Sequence, residues 1–473
     1  MSESQFAYPA SPSWQRGKSQ NVLGSDFVVI EPDNKWEDYP SQVVFQLDSK
    51  KPFFCGPMTR FNVTGSFKKR ATRASAWTTM AATDAADVML MWNWFEFLIK
   101  EIAVYRGNYK ICTSNEAVQI WPLLNAYLYA NMEPMTKKVM CPHPENPAYC
   151  VPTKNTTWNF DSDEWKKYGT LVFAQEAINF DFKPIGVFPF SQNADYIVGG
   201  SYPSALPMNS MEKLDVRITF RKDVECIFKK ADAASTVEYK FDIDSIQLCV
   251  EEARLAPSYE KTLGSKNSTV AFAGTSRIMM AETISANVMT YRTKFQKILA
   301  PEGVFIFALP KEVIGGEWKF ESLTDGKIFK PHNLKSVALT FKGETYENKE
   351  PNISQIEDNF IEVKTLISHL SHPPFGVPQN PDLVTLSLLK SGGSNSIFPH
   401  VYINLCNSLD KTRLVPYNQD GGLLLTEGDL DIQMKFNRGG ATDNVTYIIY
   451  IFYTDINLMY DMKNKRFSSP YIH

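Results

Sequence analysis

Leu214-Asp215-Val216-Arg217-Ile218-Thr219-Phe220 decides the fold, because the chain writes this stretch twice. Residues 430–436 read Leu430-Asp431-Ile432-Gln433-Met434-Lys435-Phe436. Leu, Asp and Phe recur in place, and an aliphatic or Met residue fills each apolar position between them. Strict apolar/polar alternation marks a half-buried strand with one face on a core. Gly199-Gly200 precedes the first copy and Gly421-Gly422 the second. A long β segment follows each, Tyr239–Val250 and Thr446–Tyr453. Alternation accounts for the apolar positions; it does not account for the shared Asp or the glycine pairs. An offset of about half the chain points to two copies of a whole domain rather than a solenoid. The 473 residues suit two domains of about 200–250 residues each.

Outward from the echo, strand signals dominate. Val43–Leu47 reads as a strand, and so does Arg60–Lys69, where Phe61, Val63, Gly65 and Phe67 share a face. Gly65 predicts a bend or bulge. Val88, Met91, Trp92, Phe95, Leu98, Ile99 and Ile102 recur at helical spacing, so Ala86–Tyr105 predicts a short helix and then a strand at Ile102–Tyr105. Glu116–Tyr129 predicts a second short helix, with Pro122 kinking it or fixing its first turn. Residues 131–169 read as loop, and strands return from Thr170. In the second half, Tyr291–Leu299, Val304–Leu309, Leu334–Phe341, Leu383–Leu389, Val401–Leu405, Asp429–Phe436 and Thr446–Tyr453 read as strands. Ala256–Ala281 is small, polar and weakly patterned and predicts a linker. The expected organisation is an arm at 1–40, a first domain at 41–260, a linker at 261–285 and a second domain at 286–473. Many strands and few helices predict β-sandwiches rather than an alternating α/β fold.

Composition narrows function. Hydrophobic residues make up 44% and charged residues 21%, an ordinary globular balance. The net charge of -3 offers no basic excess for neutralising phosphates, and no sequence-specific nucleic-acid binding is expected. The seven cysteines (Cys55, Cys112, Cys141, Cys150, Cys226, Cys249 and Cys406) are scattered and odd in number, unlike a secreted disulfide framework. Met1–Gln20 is polar and shows no signal-peptide core, so a reducing compartment is expected. The Asn-x-Ser/Thr triplets at Asn62, Asn155, Asn267, Asn352 and Asn444 then read as chance matches. The longest apolar stretch, Val88–Ile99, contains Glu96 and is too short for a membrane helix, which needs about 20 residues.

The chemistry-bearing patterns are thin. No G-x-x-x-x-G-K-S/T phosphate loop occurs. Gly392-Gly393-Ser394-Asn395-Ser396 lacks the closing glycine of a serine elbow. His369 and His372 lack a nearby downstream Glu and run into Pro373-Pro374, and they read as polar loop. Cys141, His143 and Cys150 give three potential ligands, but zinc asks for a fourth at standard spacing. Lys68-Lys69-Arg70 with Arg73 reads as a solvated strand end, with a contact to nucleic acid, membrane or another protein as the functional option. Trp92, Trp94 and Phe95 read as core or subunit interface. No catalytic, cofactor-binding or metal residue is assigned.

Several stretches resemble a known family. Trp92-Asn93-Trp94-Phe95-Glu96-Phe97-Leu98-Ile99-Lys100-Glu101-Ile102-Ala103-Val104-Tyr105 and the following Trp121–Tyr129 are similar to segments of the double jelly roll major capsid proteins of Polintons (Mavericks), adintoviruses and virophages. Leu206–Arg221 and Asp242–Pro257 resemble the late strands of that family's first domain. Tyr291–Lys297, Gly303–Lys311 and Thr446–Tyr460 are similar in order and character to segments of its second. Residues 131–169 and 343–382 have no counterpart. The resemblance implies a mainly β chain of two tandem antiparallel jelly roll β-sandwiches, with a few short helices in the loops. It implies a non-enzymatic major capsid protein without cofactors, forming homotrimers that serve as pseudo-hexameric capsomers of an icosahedral shell around a double-stranded DNA genome. Implied partners are further copies of the chain, penton and other minor capsid proteins, and a host receptor met through outer loops. The implied location is the virion, assembled in the host cytoplasm or nucleus. Two other readings stay open. A carbohydrate-binding or adhesion β-sandwich predicts a secretory signal and paired cysteines. A penton or other minor capsid protein predicts a single jelly roll.

Overall fold

The structure, a computed structural model, describes residues 22–36, 39–48, 53–55, 59–90, 94–113, 163–182, 204–206, 213–232, 234–258, 269–285, 287–299, 301–310, 334–341, 343–349, 400–404, 427–436, 445–461 and 466–468. The first half contributes β1 (Val22–Ile30), β2 (Gln42–Leu47), β3 (Phe53–Cys55), β4 (Arg60–Arg70), β5 (Thr78–Thr79), β6 (Val88–Leu90), β7 (Ile99–Arg106), β8 (Tyr109–Thr113), β9 (Ile178–Phe182), β10 (Ser204–Leu206), β11 (Leu214–Phe220), β12 (Phe228–Lys230) and β13 (Glu238–Leu255). The second contributes β14 (Thr269–Ile284), β15 (Thr290–Leu299), β16 (Pro301–Pro310), β17 (Leu334–Phe341), β18 (Glu344–Lys349), β19 (His400–Asn404), β20 (Glu427–Phe436), β21 (Val445–Asp461) and β22 (Arg466–Ser468).

Each half builds two antiparallel sheets. In the first, β2-β11-β7-β8 forms one sheet and β1-β13-β4-β9 the spine of the other, with β3, β5 and β10 at its margins. In the second, the sheets are β15-β20-β17-β18 and β14-β21-β16-β19, with β22 beside β21. Take the eight principal strands of each half in chain order. One sheet then reads first-eighth-third-sixth and its mate second-seventh-fourth-fifth, identically in both halves. Eight strands in two facing sheets with these crossovers make a jelly roll. The chain is therefore a double jelly roll. β6 and β12 pair separately as a short ribbon.

The echoed heptapeptides are the seventh strand of each copy. β11 lies between β2 and β7, and β20 between β15 and β17. Leu214, Val216, Ile218 and Phe220 are buried, and so are Leu430, Ile432, Met434 and Phe436. The two cores differ in composition. In the first, aromatic rings interlock: Trp94 lies 4.6 Å from Phe241, Phe67 lies 5.0 Å from both, and Phe95 lies 5.1 Å from Phe180 and Phe182. The second is mainly aliphatic, with Ile298, Val304, Ile306, Val337, Leu339, Ile432, Ile449 and Ile451 packed together.

Gly65 sits at a close approach between β4 and β13. A Cβ there would lie 2.3 Å from the Asp242 carbonyl oxygen and 2.5 Å from the Phe241 ring. The expected irregularity is present, but on the facing strand. Gly65 pairs Ile243 and Thr64 pairs Ser245, leaving Asp244 as the extra residue of a bulge.

Other expectations change. Ala86–Tyr105 contains β6, a five-residue helix α1 (Trp94–Leu98), and then strand from Ile99 rather than Ile102. Ile99 and Ile102 mimic helical spacing because a bulge separates them: Thr219 faces Glu101 while Phe220 faces Ile99. The extra residue, Lys100, turns a period of two into a step of three. Part of the expected loop 131–169 is helix α2 (Asp163–Phe173), which also removes Thr170 as a strand start. Trp165, Gly169, Val172 and Phe173 lie on its buried face, at the helical spacing that the surrounding prolines and polar residues hid. Its Trp165 Nε1 donates to the Ala85 carbonyl at 2.7 Å, fastening α2 to the 3-10 helix Ala82–Ala86.

The expected arm 1–40 includes β1, which pairs with β13 from Val22 to Ile30. The expected linker 261–285 is largely β14, whose small residues pair along β21 from Thr269 to Ile284. The unmatched stretch 343–382 begins with β18. The glycine pairs and the segments expected at Glu116–Tyr129 and Leu383–Leu389 lie outside the described residues.

Candidate functional site

Among the described residues, those singled out for chemistry do not converge. Among the described residues, no group of three or more His, Cys, Asp or Glu side chains is placed to hold a metal ion. Cys141, His143, Cys150, His369, His372 and Gly392–Ser396 lie outside the described residues. Cys226 is a buried thiol whose burial pushes its pKa up to about 12, and burial also raises the half-buried Cys249 thiol. Neither has the thiolate character of a nucleophile. Trp94 and Phe95 are core residues; Trp92 lies outside the described set. No described helix is long and apolar enough to cross a membrane.

The basic run is neutralised in place. Lys68 Nζ donates to Asp242 at 2.5 Å, Lys69 Nζ to Asp84 at 2.5 Å, and Arg70 Nε to Glu238 at 2.5 Å. Arg70 also lies over the Trp77 ring at 4.4 Å, with Lys240 at 4.9 Å. Burial alone would raise the Asp242 carboxyl; hydrogen bonds and charge from Lys68 and Lys240 outweigh it and hold the group below its ordinary value. These lysines and Arg70 knit the end of β4 to β13 and the 3-10 helix. Arg73 stays exposed.

The outer faces of the sheets carry ordered charge pairs. On the outer face of β2-β11-β7-β8, Lys213 pairs Asp48 at 3.0 Å and Lys110 pairs Glu101 at 2.6 Å. Arg217 pairs Asp215 at 3.1 Å and lies over Tyr105 at 4.0 Å. On the equivalent face of the second copy, Lys294 pairs Asp429 at 2.7 Å, and Arg292 Nε donates to both oxygens of Asp431 at 2.7 and 2.9 Å. Those bonds hold the Asp431 carboxyl below its ordinary range. The echoed Asp thus does the same work twice, facing outward against an arginine. The arginine comes from its own strand in the first copy and from the neighbouring strand in the second. Exposed pairs of this kind are screened by water, so they set charge pattern more than stability.

The other large sheet of the first copy presents something different. On β1, Leu23, Phe27 and Val29 are 66%, 56% and 52% exposed. Sequence reading placed these residues in an arm. The signal was present in Asp26-Phe27-Val28-Val29-Ile30, a β-branched run in which Val28 and Ile30 pair opposite the buried Val250 and Leu248.

No family model matches the chain, and no curated protein matches it by sequence. Solved structures do match. A chain from the structure of the Sputnik virophage superposes with a TM-score of 0.55 at 12% identity, covering 96% of this chain and 90% of that one. The mavirus major capsid protein superposes with a TM-score of 0.48 at 9% identity, covering 93% of this chain and 89% of that one. The Sputnik likeness spans both jelly rolls, and it is a likeness of fold.

Proposed function

We propose that this double jelly roll chain is a major capsid protein. Three copies form a pseudo-hexameric capsomer, and capsomers tile an icosahedral shell around a double-stranded DNA genome. One observation carries the reading: the same strand order, first-eighth-third-sixth facing second-seventh-fourth-fifth, is built twice along one chain. Two equivalent sandwiches per copy turn three-fold symmetry into a near six-fold outline, and hexagonal outlines tile a surface without gaps. Heterologous contacts that close a ring need only one interface used repeatedly. The whole-length likeness to a chain of a virophage particle supports the same reading. The role is structural rather than enzymatic. In the virion the tile meets penton and other minor capsid proteins, and outer loops meet a host receptor; assembly takes place in the host cytoplasm or nucleus.

Light scattering coupled to size exclusion tests the reading. The expected species has three times the mass of the 53.7 kDa chain. A monomer at every salt concentration and pH tried would contradict it.

A further inference from the structure

The stripe on β1 is unusual for a strand in this position. Leu23, Phe27 and Val29 share its outer face and run for about 20 Å at the ordinary strand rise. Among the described strands β1 pairs with β13 alone, so it is an edge strand. An exposed apolar edge templates aggregation unless something covers it. These residues are exposed with the described strands of the second jelly roll present, so those strands do not cover them.

The charges around the stripe indicate what does. On the same outer face lie Glu31, Glu251 and Asp181, against Arg60, which pairs Asp181 at 2.8 Å and sits 6.0 Å from the Phe27 ring. Among the described side chains there, acids outnumber bases. On the outer face of β15-β20 in the second jelly roll, Arg292, Lys294 and Lys435 stand against Asp429 and Asp431. Among the described side chains of that face, bases outnumber acids, and Lys435 is the exposed base beyond the two that pair Asp429 and Asp431. Among the described side chains, one chain therefore carries an acid-rimmed apolar stripe on its first jelly roll and a face with one base in excess on its second. Complementary patches in different places on one molecule make a heterologous contact, the kind that closes a ring.

We propose that Leu23, Phe27 and Val29 form a contact between copies of this chain, seated against the β15-β20 face of the next copy's second jelly roll. The proposal rests on the capsid reading and names the surface that reading requires.

A dilution series of the full chain, followed by light scattering, tests it. Phe27→Ser with Val29→Thr keeps the strand pairing and the exposed positions, so its melting midpoint matches wild type while its association weakens about tenfold or more. Glu251→Lys and Lys435→Glu each weaken association, and the two together recover it. If the stripe variant assembles at wild-type concentrations while folded, or the paired charge swap recovers nothing, the contact is overturned and the capsid reading stands. If wild type itself never associates, the capsid reading fails first. A chain lacking residues 1–20 decides between two possible covers. Wild-type assembly by the deletion supports the copy-to-copy contact, whereas a deletion that reproduces the stripe variant's loss assigns the stripe to the chain's own N-terminal residues and overturns it.

Discussion

Gly65→Ala should destabilise the first jelly roll more than any ordinary glycine substitution. The new Cβ would lie 2.3 Å from the Asp242 carbonyl oxygen and 2.5 Å from Phe241 Cζ, far inside contact distance. Neither obstacle yields easily. Asp242 belongs to the β4–β13 ladder, and Phe241 is wedged against Trp94 at 4.6 Å and Phe67 at 5.0 Å. Overpacking of this kind costs about 1–3 kcal/mol, and two rigid obstacles put it near about 3. Loss of glycine's freedom in the unfolded chain returns about 0.4–1 kcal/mol. The net cost is about 2 kcal/mol, or a fall in melting midpoint of about 4–8 °C for a domain of this size. Differential scanning calorimetry of the purified variant measures it. Gly107→Ala is the control: its φ of +57° is strained for alanine, but nothing lies within 4 Å of the added carbon. A midpoint for Gly65→Ala equal to or above wild type would refute both the bulge at Asp244 and the close packing beneath it.

Three further outcomes follow from the same geometry. Asp242 has its carboxyl depressed in the folded state, so the stability it contributes is present above the ordinary value of 3.8 and is lost as pH falls below it; the gap in urea midpoint between wild type and Asp242→Asn should therefore close as pH drops below 3.8, and a constant gap would contradict the ion pairs to Lys68 and Lys240. Trp165→Phe removes the donor to the Ala85 carbonyl and leaves that carbonyl without it, costing about 1–3 kcal/mol, read as earlier protease cleavage within 163–173; unchanged cleavage would detach α2 from the 3-10 helix. Cys226, with its thiol pushed up to about 12, should resist alkylation at pH 8 in the folded chain and react after denaturation, as mapped by peptide mass spectrometry; rapid labelling of the folded protein would place Cys226 at the surface.

The duplication was legible because strand periodicity and a shared Asp survive in both copies, at Asp215 and Asp431. Strands such as Leu334–Phe341, with one face inward, could be read to the residue. Local pattern failed where pairing decides structure. Lys100 is a bulge that only its partner strand reveals, and it made Ile99 and Ile102 look helical. Thr269–Ile284 is rich in small residues and lacks strong propensity, yet a long register with β21 makes it a strand. β1 was missed because proline- and serine-rich sequence before it set the expectation for the whole segment. Of the surface proposed for assembly, β15 and β20 were read as strands, but neither the charge of their outer face nor the stripe on β1 was legible. The neutralisation of Lys68, Lys69 and Arg70 was also invisible, since their partners lie from 15 to 174 residues away.

Electron microscopy of the assembled particle tests the central claim most directly. Two equivalent jelly rolls per copy and three copies per tile predict class averages with a hexagonal outline, six lobes and true three-fold symmetry. A three-lobed particle, a two-fold particle or isolated two-lobed monomers would contradict it.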